Sequence, residues 1–447
     1  MSHTDFAAIV LAAGEGTRMR SAKPKVLHEI CGRAMIAHVL DALRPLGPAE
    51  TVVVLAPGTD SVATAVAPAK AAIQHPARGT GDAVRAAEGA LSAAVDTVVV
   101  LYGDTPLLRT ETLERLLAAR HDGAAIAVAG MRPADPSPYG RLIEDGEGGI
   151  ARIVEARDAT PEEAAIGLCN GGIMAIDAAR LFDLVGRIGC NNAKGEYYLT
   201  DIVAIANADG LACRIVELPA EDVLGVNTRA ELAEAEAVMQ RRLRARAMAN
   251  GATLVAPETV FLSADTIFGR DVVVEPNVVF GPGVTVGDDV RIRSFSHLDG
   301  AEVGNGAIVG PYARLRPGAV LERDVHVGNF VEVKATRIGA GAKANHLSYL
   351  GDSEIGAGTN IGAGTITCNY DGFNKHRTMI GAGTFIGSNA TLVAPVSIGD
   401  GAFVAAGSVV TRDVPADSLT IGRGNQIDKP GRAAELRAKL KGKKGGR

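Results

Sequence analysis

The chain has 447 residues, of which 47% are hydrophobic and 22% charged, and its formal net charge is −5. This is the composition of a globular protein with two or three domains, and the mildly acidic balance gives no general reason to expect binding to nucleic acid or to a membrane surface. No apolar run reaches transmembrane length, and the N-terminal run FAAIVLAA is too short for a signal peptide. The five scattered cysteines include no CxxC pair, which favours reduced thiols over disulfides or a zinc site. We therefore expect a cytoplasmic protein.

Residues 1–227 alternate short apolar segments with segments of helical length. The segments FAAIVLAAG, TVVVLA and TVVVLYGD are typical of buried strands, and the amphipathic stretches AMIAHVLDALRPLG and ETLERLLAARHDG end at glycine, as helices often do. This alternation predicts an α/β domain whose mostly parallel sheet is covered on both faces. In such folds, ligands bind at the carboxyl ends of the strands.

A glycine-containing loop, LAAGEGTRMRSAKPKVLHEI (11–30), directly follows the first strand. Its backbone N–H groups can cradle phosphates, and Arg18 and Lys25 add positive charge. The loop matches neither the Walker sequence nor the dinucleotide fingerprint. The entire string, however, resembles the signature of the sugar-phosphate nucleotidyltransferases, which implies a Rossmann-like nucleotidyltransferase domain over residues 1–227.

Seven further segments resemble motifs of that family and occur in the family's order: QHPARGTGDAV (74–84), LYGDTPL (101–107), PYGRLI (138–143), IVEARDA (153–159), CNGGIM (169–174), GEYYLTDI (195–202) and GVNTR (225–229). The substrate-binding residues that the resemblance implies are Leu11, Ala12, Ala13, Gly14, Arg18, Lys25, Gln74, Gly79, Thr80, Tyr102, Gly103, Asp104, Gly140, Glu155, Asn170 and Asn227. Those implied to contact uracil are Gln74, Gly79 and Thr80, and those implied to hold an N-acetyl sugar are Gly140, Glu155 and Asn170.

Asp104 stands at the end of a strand, where an isolated aspartate is more often a turn or cap residue. Here it belongs to the series of family motifs. Mg²⁺ prefers oxygen ligands and usually takes only one or two of them from the protein. The resemblance implies that Asp104 and Asn227 hold Mg²⁺, that Lys25 stabilises charge at the α-phosphate of a triphosphate, and that Arg18 holds the outgoing pyrophosphate.

One position departs from the family pattern. The segment CNGGIM has Gly171 where the family usually has threonine. We expect this change to remove a hydroxyl near the sugar pocket, which leaves the selectivity for the sugar open.

Residues 228–250 are predicted to form one long helix, with Thr228 as its cap and Gly251 after its end. We interpret this helix as a rigid arm between two domains, because its apolar spacing is too loose to favour a coiled coil. The basic segment 431–447 has no recognisable family content, and we expect it to be disordered.

Beyond residue 251 the apolar residues repeat with a period of six, as in VEPNVV (274–279), VGNGAI (303–308) and IGAGTN (355–360). Neither a helix nor an alternating strand has this period. It fits one flat face of a triangular coil, with the aliphatic residue pointing inward and a glycine or small polar residue at the corner. The pattern resembles the hexapeptide-repeat acyltransferases, which implies a left-handed parallel β-helix over residues 251–430. Members of that family are commonly homotrimers with active sites between neighbouring subunits.

The hexads are interrupted in two places, and one interruption surrounds a histidine. Two repeats shorten to five residues, one on each side of the segment AGAKANHLSYLG (340–351), which contains His346. A polar loop is then inserted within TITCNYDGFNKHRTMIG (365–381). A lone histidine is more often structural, and irregular spacing can be mere drift of the repeat, but a loop excluded from a solenoid tends to carry function.

The resemblance assigns roles to residues around these interruptions. His346 is implied to be the general base that accepts a proton from a sugar amine, a task that suits imidazole at neutral pH; whether it accepts the proton or only orients the amine stays open. The residues implied to bind the sugar phosphate are Arg316, Lys334, Tyr349 and Asn360. Those implied to bind acetyl-CoA are Ala363, Asn369, Tyr370, Ser388, Ala406 and Arg423. We also expect Glu332 to orient His346 and Lys375 to reach a neighbouring subunit.

The order of the motifs, the long helix and the hexads together resemble a family of bifunctional bacterial enzymes. These enzymes transfer an acetyl group from acetyl-CoA to glucosamine-1-phosphate, and then join the N-acetylglucosamine-1-phosphate to UMP from UTP, releasing pyrophosphate and UDP-N-acetylglucosamine, a precursor of the cell wall. Two other interpretations are weighed: a nucleotidyltransferase with the β-helix as a regulatory appendage, and a β-helix that serves only as a trimerisation scaffold. The segments KANHLSYLG and CNYDG favour the bifunctional interpretation, because an appendage has no need of them.

Overall fold

The computed structural model describes residues 6–146 and 148–444, with side chains described as far as residue 441. The chain divides between Ala245 and Arg246 into two compact units. Among the described residues, no helix is long and apolar enough to cross a membrane.

The first unit contains a twisted sheet whose strand order is β11-β7-β10-β6-β1-β4-β5. Its strands are β1 (Phe6–Leu11), β4 (Glu50–Leu55), β5 (Lys70–Ile73), β6 (Thr97–Tyr102), β7 (Ile126–Met131), β10 (Cys169–Asp177) and β11 (Cys213–Glu217), with β8 (Arg141–Glu144) and β9 (Ile150–Val154) as a hairpin beside β10 and a small separate hairpin of β2 (Glu29–Ile30) and β3 (Arg33–Ala34). Strand β10 runs antiparallel to its neighbours β6 and β7, and the other pairs along the main order are parallel. The predicted mostly parallel sheet is therefore confirmed.

Helices cover both faces of this sheet. They are α1 (Met35–Leu43), α2 (Asp60–Val66), α3 (Thr80–Ala86), α4 (Thr110–His121), α5 (Pro161–Ala164), α6 (Ala178–Gly186) and α7 (Ile202–Ala208), with 3₁₀ turns at Thr17–Met19, Lys25–Leu27, Arg44–Leu46, Leu199–Asp201 and Ala220–Asp222. Alternate residues of the central strands enter two separate cores: Ile9 and Val100 face one core, and Val10 and Val99 face the other. This division follows from the two-residue period of a strand.

The predicted long helix is α8 (Arg229–Ala249), and the division between the two units falls inside it. Its first part is bonded to the first unit. Glu236 accepts a hydrogen bond from the backbone N–H of Cys31 (2.7 Å), and Arg242 donates to the carbonyl of Leu107 (2.6 Å). These residues of α8 therefore belong structurally to the first unit.

The second unit is a parallel β-helix with three faces, because each strand pairs with the third strand after it, apart from the first and last pairs of one face, which join every second strand. Face 1 consists of Thr253–Leu254, Val273–Val274, Arg291–Ile292, Ile308–Val309, His326–Asn329, Lys343–His346, Asn360–Ile361, Phe385–Ile386, Phe403–Val404 and Leu419–Thr420. Face 2 consists of Ile267–Phe268, Thr285–Val286, Ala301–Val303, Ala319–Leu321, Arg337–Ile338, Ser353–Ile355, Thr378–Ile380 and Val396–Ile398. Face 3 consists of Val279–Phe280, His297–Leu298, Arg314–Leu315, Glu332–Lys334, Tyr349–Gly351, Ile366–Cys368, Thr391–Val393 and Val409–Val410. A 3₁₀ turn at Pro257–Thr259 follows the first strand of face 1.

The apolar residue that begins each hexad points into the β-helix, as predicted. The buried residues are Val274, Phe280, Val286, Ile292, Val303, Val309, Leu315, Leu321, Val327, Ile355, Ile361, Ile380, Ile386, Leu392, Ile398, Val404 and Val410. Several corners are turned by asparagine or aspartate with a positive φ, such as Asn277 (φ 61°) and Asp324 (φ 61°), because these side chains tolerate the left-handed conformation. The period of six is thus the distance along the chain from one face to the next.

The strands of successive coils stay in register on both sides of the two interruptions of the hexads. On face 1, His346 pairs in register with Asn329 of the preceding coil. On face 2, Ser353 pairs with Thr378, so the intervening insertion does not displace the coil that follows it. The inserted loop is excluded from the β-helix, and its residue Phe373 is 91% exposed.

The C-terminal segment differs from the prediction of disorder. Residues Arg432–Lys444 form helix α9, and residues 445–447 of the predicted tail lie outside the described residues. Alanine, leucine, lysine and arginine have high helix propensity, and Arg432 forms an ion pair with Glu435 one turn later (2.6 Å). Every residue of the helix whose exposure is described is exposed, so local propensity and not burial accounts for it.

Candidate active sites

The first site lies at the carboxyl ends of β1 and β6, which are neighbours in the sheet. The backbone N–H of Gly103 donates to the carbonyl of Leu11 (2.9 Å), so the ends of the two strands are held together. A cavity of about 410 Å³ opens there. Its lining includes eleven of the residues expected from the sequence: Leu11, Ala12, Ala13, Gly14, Arg18, Lys25, Gln74, Gly79, Thr80, Tyr102 and Asp104.

Lys25 is the central cation of this cavity. Its Nζ donates to Oδ2 of Asp104 and, at 3.1 Å, to Oδ1 of Asn227. The side chains of Lys25 and Asp104 are only 12% and 16% exposed. The backbone N–H of Val226 donates to the carbonyl of Asp104 (2.8 Å), which brings the distant segment 225–229 to the end of β6. A carboxylate oxygen and an amide oxygen thus converge on one positive charge.

This pair of oxygens fits a small, hard cation. Among the residues that the structure describes, no cluster of three or more His, Cys, Asp or Glu side chains is suited to a metal ion. A magnesium ion needs no such cluster, because it takes most of its ligands from phosphates and water. Asp104 and Asn227 would supply two oxygen donors to it.

Gln74 and the glycine loop at 79–80 form the next wall of the cavity. Nε2 of Gln74 donates to the carbonyl of Gly79 (3.0 Å) and to Oδ2 of Asp82 (2.9 Å), which fixes the amide group. Gly79 has φ +115°, and an added Cβ would lie 2.6 Å from the carbonyl oxygen of Tyr197, so only glycine fits. The sequence analysis missed Asp82 and Tyr197, although the quoted segments 74–84 and 195–202 contain them.

The residues expected to hold a sugar lie close to one another, since an added Cβ at Gly140 would lie 3.3 Å from the carbonyl oxygen of Val154 and 3.7 Å from Cβ of Asn170. Burial raises the pKa of Glu155, whose Oε1 accepts a hydrogen bond from Thr200 (3.0 Å). The pKa of Tyr102 is also raised, by burial and by the nearby carboxylates of Glu155 and Asp104. The backbone N–H of Asn170 donates to the carbonyl of Gly140 (2.8 Å), which fixes these two positions relative to each other.

Gly171 does not face this pocket, contrary to the expectation that its missing side chain removes a hydroxyl from the sugar site. An added Cβ would point to the carbonyl oxygen of Ala129 (3.1 Å) and to Cγ2 of Val223 (3.1 Å), both away from the cavity. The pairing of β10 with β7 shifts register between Asn170 and Met174, and this irregularity turns position 171 inward. The neighbouring Gly172 instead approaches the ring of Tyr102, at 3.1 Å from an added Cβ.

The second site begins at His346, at the corner between faces 1 and 3. Its Nδ1 lies 2.6 Å from Oδ1 of Asn329, one coil earlier on face 1. An amide oxygen only accepts hydrogen bonds, so Nδ1 carries the proton and Nε2 carries the lone pair. The exposed imidazole therefore presents a basic nitrogen to solvent.

Asn329 takes the place that the sequence analysis gave to Glu332. The carboxylate of Glu332 is instead bonded to Arg316 (2.9 Å) and lies 3.6 Å from Arg314. The difference follows from the coil length. Position 329 precedes His346 by one coil and pairs with it, whereas Glu332 pairs with Tyr349 on face 3. The pairing of strands one coil apart is the signal that could have identified Asn329.

A polar cluster lies at the corner between faces 3 and 2. Asp352 Oδ2 accepts from Nζ of Lys334 (3.2 Å) and from Nδ2 of Asn369, and the same amide lies 3.4 Å from the hydroxyl of Tyr349. Lys375 of the inserted loop approaches Lys334, whose ammonium lowers the pKa of Lys375. Within this chain Lys375 thus lies beside this cluster, and its expected reach to a neighbouring subunit stays a prediction. Sequence reasoning missed Asp352, which joins the cluster.

The structure does not bring all the expected acetyl-transfer residues together within one chain. Strand Tyr349–Gly351 separates His346 from the cluster around Lys334 and Asp352. His346 instead begins an edge that runs along successive coils. The carbonyl of His346 accepts from Gly364, and beyond it the carbonyls of Ala363, Ser388 and Ala406 accept from Asn389, Gly407 and Arg423, respectively. Asn360, on face 1, pairs with Lys343 and Phe385 of the adjacent coils, and the exposed Tyr370 begins the inserted loop.

Comparison with known proteins gives matches to both halves. Residues 8–146 match the MobA-like NTP transferase domain, residues 265–300 match the bacterial transferase hexapeptide of six repeats, and residues 377–412 match the hexapeptide repeat of succinyl-transferase. A protein named bifunctional protein GlmU from Azorhizobium caulinodans is 59% identical over 98% of both chains. Proteins of the same name from Xanthobacter autotrophicus (57%, 98% of both chains) and Paramagnetospirillum magneticum (54%, 99% of both chains) are similarly close.

These relatives extend over nearly the whole chain, including the left-handed β-helix. The hexapeptide half is therefore a transferase domain, and neither a regulatory appendage nor a mere scaffold. The chain belongs to the family of bifunctional GlmU proteins, which join a nucleotidyltransferase domain for uridylyl transfer to a hexapeptide-repeat domain for acetyl transfer.

Proposed function

We propose that the chain makes UDP-N-acetylglucosamine in two steps, with glucosamine-1-phosphate, acetyl-CoA and UTP as its substrates. Residues 251–430 acetylate glucosamine-1-phosphate, and residues 1–227 join the product to UMP. The observation that carries the proposal is the convergence of Lys25, Asp104 and Asn227 at the edge of one cavity, in a chain that also presents the Asn329–His346 pair. The location that we propose is the cytoplasm, since the five cysteines, all of them described, are free thiols.

In the uridylyl step, a phosphate oxygen of N-acetylglucosamine-1-phosphate attacks the α-phosphorus of UTP. A new P–O bond forms, the bond to the β-phosphate breaks, and pyrophosphate leaves. The attacking group is already an anion, so the protein needs to position and neutralise charge more than to remove a proton. Lys25 neutralises charge at the α-phosphate, and Arg18, exposed at the mouth of the cavity, holds pyrophosphate.

Gln74 suits recognition of uracil. Two hydrogen bonds hold its Nε2, so its carbonyl oxygen is the group available to accept from the N–H of the base. Glu155 and Asn170 hold the N-acetyl sugar. Asp104 and Asn227 hold Mg²⁺, which when bound neutralises charge on the phosphates. The Nζ atom of Lys25, which bonds both of these side chains, then serves the α-phosphate.

In the acetyl step, the amine nitrogen of glucosamine-1-phosphate attacks the carbonyl carbon of the acetyl-CoA thioester. A C–N bond forms, the C–S bond breaks, and the thiolate of CoA leaves. Nε2 of His346 accepts the proton from the amine, because Asn329 holds Nδ1 as the donor. Arg316, Lys334 and Tyr349 bind the sugar phosphate. Asn369 stabilises the developing oxyanion.

Acetyl-CoA lies along the edge that begins at His346. Ala363, Ser388, Ala406 and Arg423 follow on successive coils, and four coils at about 4.8 Å each span roughly 19 Å, which suits an extended pantetheine chain. The separation of His346 from Lys334 by a full strand supports a homotrimer, in which the sugar-phosphate cluster of one subunit faces the histidine of another.

Two coupled assays on the same purified protein test this proposal. Thiol release from acetyl-CoA with glucosamine-1-phosphate reports acetyl transfer, and pyrophosphate release from UTP with N-acetylglucosamine-1-phosphate reports uridylyl transfer. We expect His346→Ala to reduce acetyl transfer by about 10²- to 10⁴-fold, the usual contribution of a general base, and to leave uridylyl transfer unchanged. Asp104→Ala should abolish pyrophosphate release and leave acetyl transfer unchanged.

The two variants control for each other, because each keeps one activity as a measure of folding. Equal thiol release by wild type and His346→Ala would rule out the role of His346. Loss of both activities in a folded Asp104→Ala protein would contradict the independence of the two sites. Sedimentation of the wild-type protein as a monomer with full acetyl transfer would exclude a site shared between subunits.

A further inference from the structure

We propose that Glu231 is a positioning residue for Asn227 and thereby sets the affinity of the uridylyl-transfer site for its divalent cation. The inference rests on the proposed function, since it takes Asn227 as a ligand of that cation. Glu231 does not line the cavity of the site, and it stands in the first turn of helix α8.

The contact between the two residues runs through the backbone of Asn227. Oε2 of Glu231 accepts the N–H of Asn227 at 2.6 Å and the N–H of Thr228 at 2.8 Å. Hydrogen bonds to an ionised carboxylate are shorter and stronger than those between neutral groups. Two consecutive N–H groups on one oxygen fix the orientation of the peptide planes on both sides of Asn227, and hence the direction of its side chain.

Asn227 is held from the other side as well. The N–H of the preceding residue, Val226, donates to the carbonyl of Asp104 at 2.8 Å. The side-chain oxygen of Asn227 lies 3.1 Å from Nζ of Lys25, which also contacts the carboxylate of Asp104. The segment 226–228 is therefore fixed by Asp104 on one side and by Glu231 on the other. Of these two residues, Glu231 is the one that lies outside the catalytic cavity.

A helix cap alone does not account for this arrangement. Glu231 and Thr228 form the reciprocal pair of a capping box, in which Oγ1 of Thr228 accepts the N–H of Glu231 (3.2 Å) and the carboxylate accepts the N–H of Thr228. The bond to the N–H of Asn227 is additional to that motif and is the shortest of the three. It connects the start of the helix to the residue that projects into the site.

The test measures binding of Mn²⁺, as a probe for the cation, from the electron paramagnetic resonance signal of the free ion in the presence of saturating UDP-N-acetylglucosamine. We expect Glu231→Ala to raise the dissociation constant of Mn²⁺ about 10- to 100-fold, the usual effect of removing a group that orients a metal ligand. Glu231→Gln should raise it less, because an amide oxygen keeps one acceptor but loses the charge. Acetyl transfer should stay at the wild-type rate in both variants.

Two matched controls separate positioning from helix stability. Thr228→Ala removes the other half of the capping box but keeps the carboxylate on the N–H of Asn227, so it should lower the melting temperature without changing Mn²⁺ binding. Glu234→Ala removes an exposed carboxylate from the next turn of the same helix and should change neither. If Thr228→Ala weakens Mn²⁺ binding as much as Glu231→Ala does, the effect belongs to the helix and the positioning role is wrong.

Asn227→Ala distinguishes this inference from the proposed function. Weak Mn²⁺ binding by Asn227→Ala together with wild-type binding by Glu231→Ala would overturn the role of Glu231 alone. Wild-type Mn²⁺ binding by Asn227→Ala would overturn the assignment of the metal ligand itself. If Glu231→Ala loses acetyl transfer as well, its defect is one of folding and the positioning role is rejected.

Discussion

The hydrogen bond between Asn329 and His346 is the single contact on which the acetyl-transfer mechanism depends most. A neutral partner fixes the tautomer of the imidazole without adding a negative charge beside it. Nε2 of His346 is therefore the nitrogen that carries the lone pair, and Asn329 places no carboxylate beside the ring. Replacing the amide by a carboxylate should change the basicity of the ring while keeping the geometry nearly the same.

We predict that Asn329→Asp shifts the acidic, rising limb of the pH profile of acetyl transfer to higher pH, by roughly one unit or less because the ring is exposed. An adjacent carboxylate favours the protonated imidazole, and a protonated ring cannot accept the proton of the amine. The measurement is kcat/KM for thiol release between pH 5.5 and 9, with Asn329→Ala as the companion variant. An unchanged profile in Asn329→Asp, with activity retained, would show that the two side chains are not coupled.

For single residues, the sequence predicted those that belong to a recognisable motif, but not the side chains that contact them from elsewhere in the chain. Lys25, Asp104 and Asn227 were predicted from three separate segments, and the structure brings them together. Asp352 was not predicted, because it acts through a contact with the preceding coil. Residues that meet across coils have no local pattern, and only the spacing of one coil relates them.

Between elements, a buried carboxylate joins α8 to α4. Asp222 is fully buried and accepts hydrogen bonds from Arg109 (2.8 Å), Thr112 (2.7 Å) and Arg242 (2.7 Å). Arg109 immediately precedes α4, and Arg242 lies on α8. The segment between Asp222 and the start of α8 carries Asn227. The cluster therefore fixes the far end of the loop that delivers an amide oxygen to the active site.

We predict that Asp222→Ala lowers the free energy of unfolding of the first unit by about 2 kcal/mol, because it removes the shared acceptor of three side chains, and water can solvate Arg109 and Arg242, which are 49% and 26% exposed. Arg241→Ala is the matched control: its ion pair with Glu221 is long (3.5 Å) and exposed, so we expect a loss of less than about 1 kcal/mol. Both values come from urea denaturation followed by circular dichroism. Equal losses in the two variants would contradict the importance of burial.

The elements themselves could be predicted well where a period was present. The hexads predicted the β-helix correctly, because every position that they place inside it is buried in the structure. The orientation of Gly171 could not be predicted, because it depends on a register shift between β10 and β7 and not on the residue type. Helix α9 was missed because composition suggests disorder while local propensity favours a helix.

For the whole molecule, stability toward acid should depend in part on Glu50. Burial alone would raise the pKa of this carboxyl, but hydrogen bonds from Lys70 and from the backbone of Ser92 and Ala93 outweigh it and lower the pKa to about 2. A carboxyl whose pKa is depressed on folding stabilises the protein above its unfolded pKa of about 4.3. That stabilisation is lost as the pH falls from about 4.5 toward 2.

We predict that Glu50→Gln melts at a lower temperature than wild type at pH 6, and that the difference shrinks steadily between pH 5 and pH 3. The glutamine cannot lose a charge, so the variant lacks this part of the pH dependence. Differential scanning calorimetry at several pH values provides the measurement. A difference in melting temperature that stays constant over this range would show that Glu50 does not titrate with folding.

The pairing of each strand with those one coil away makes the second unit a linear array. The stability of a coil in such an array depends mainly on its immediate neighbours, so the terminal coils open more readily than the central ones. The edge proposed for acetyl-CoA runs from His346, in the interior of the array, to Arg423, beyond the last strand of face 1. In the proposed binding mode, the nucleotide end of acetyl-CoA would lie on coils near the end of the array, which open first, and the thioester would lie on interior coils, which open last. Because the coils differ in stability in this way, we expect the product CoA to dissociate from its nucleotide end first. The coil that carries His346 keeps its strand pairing meanwhile.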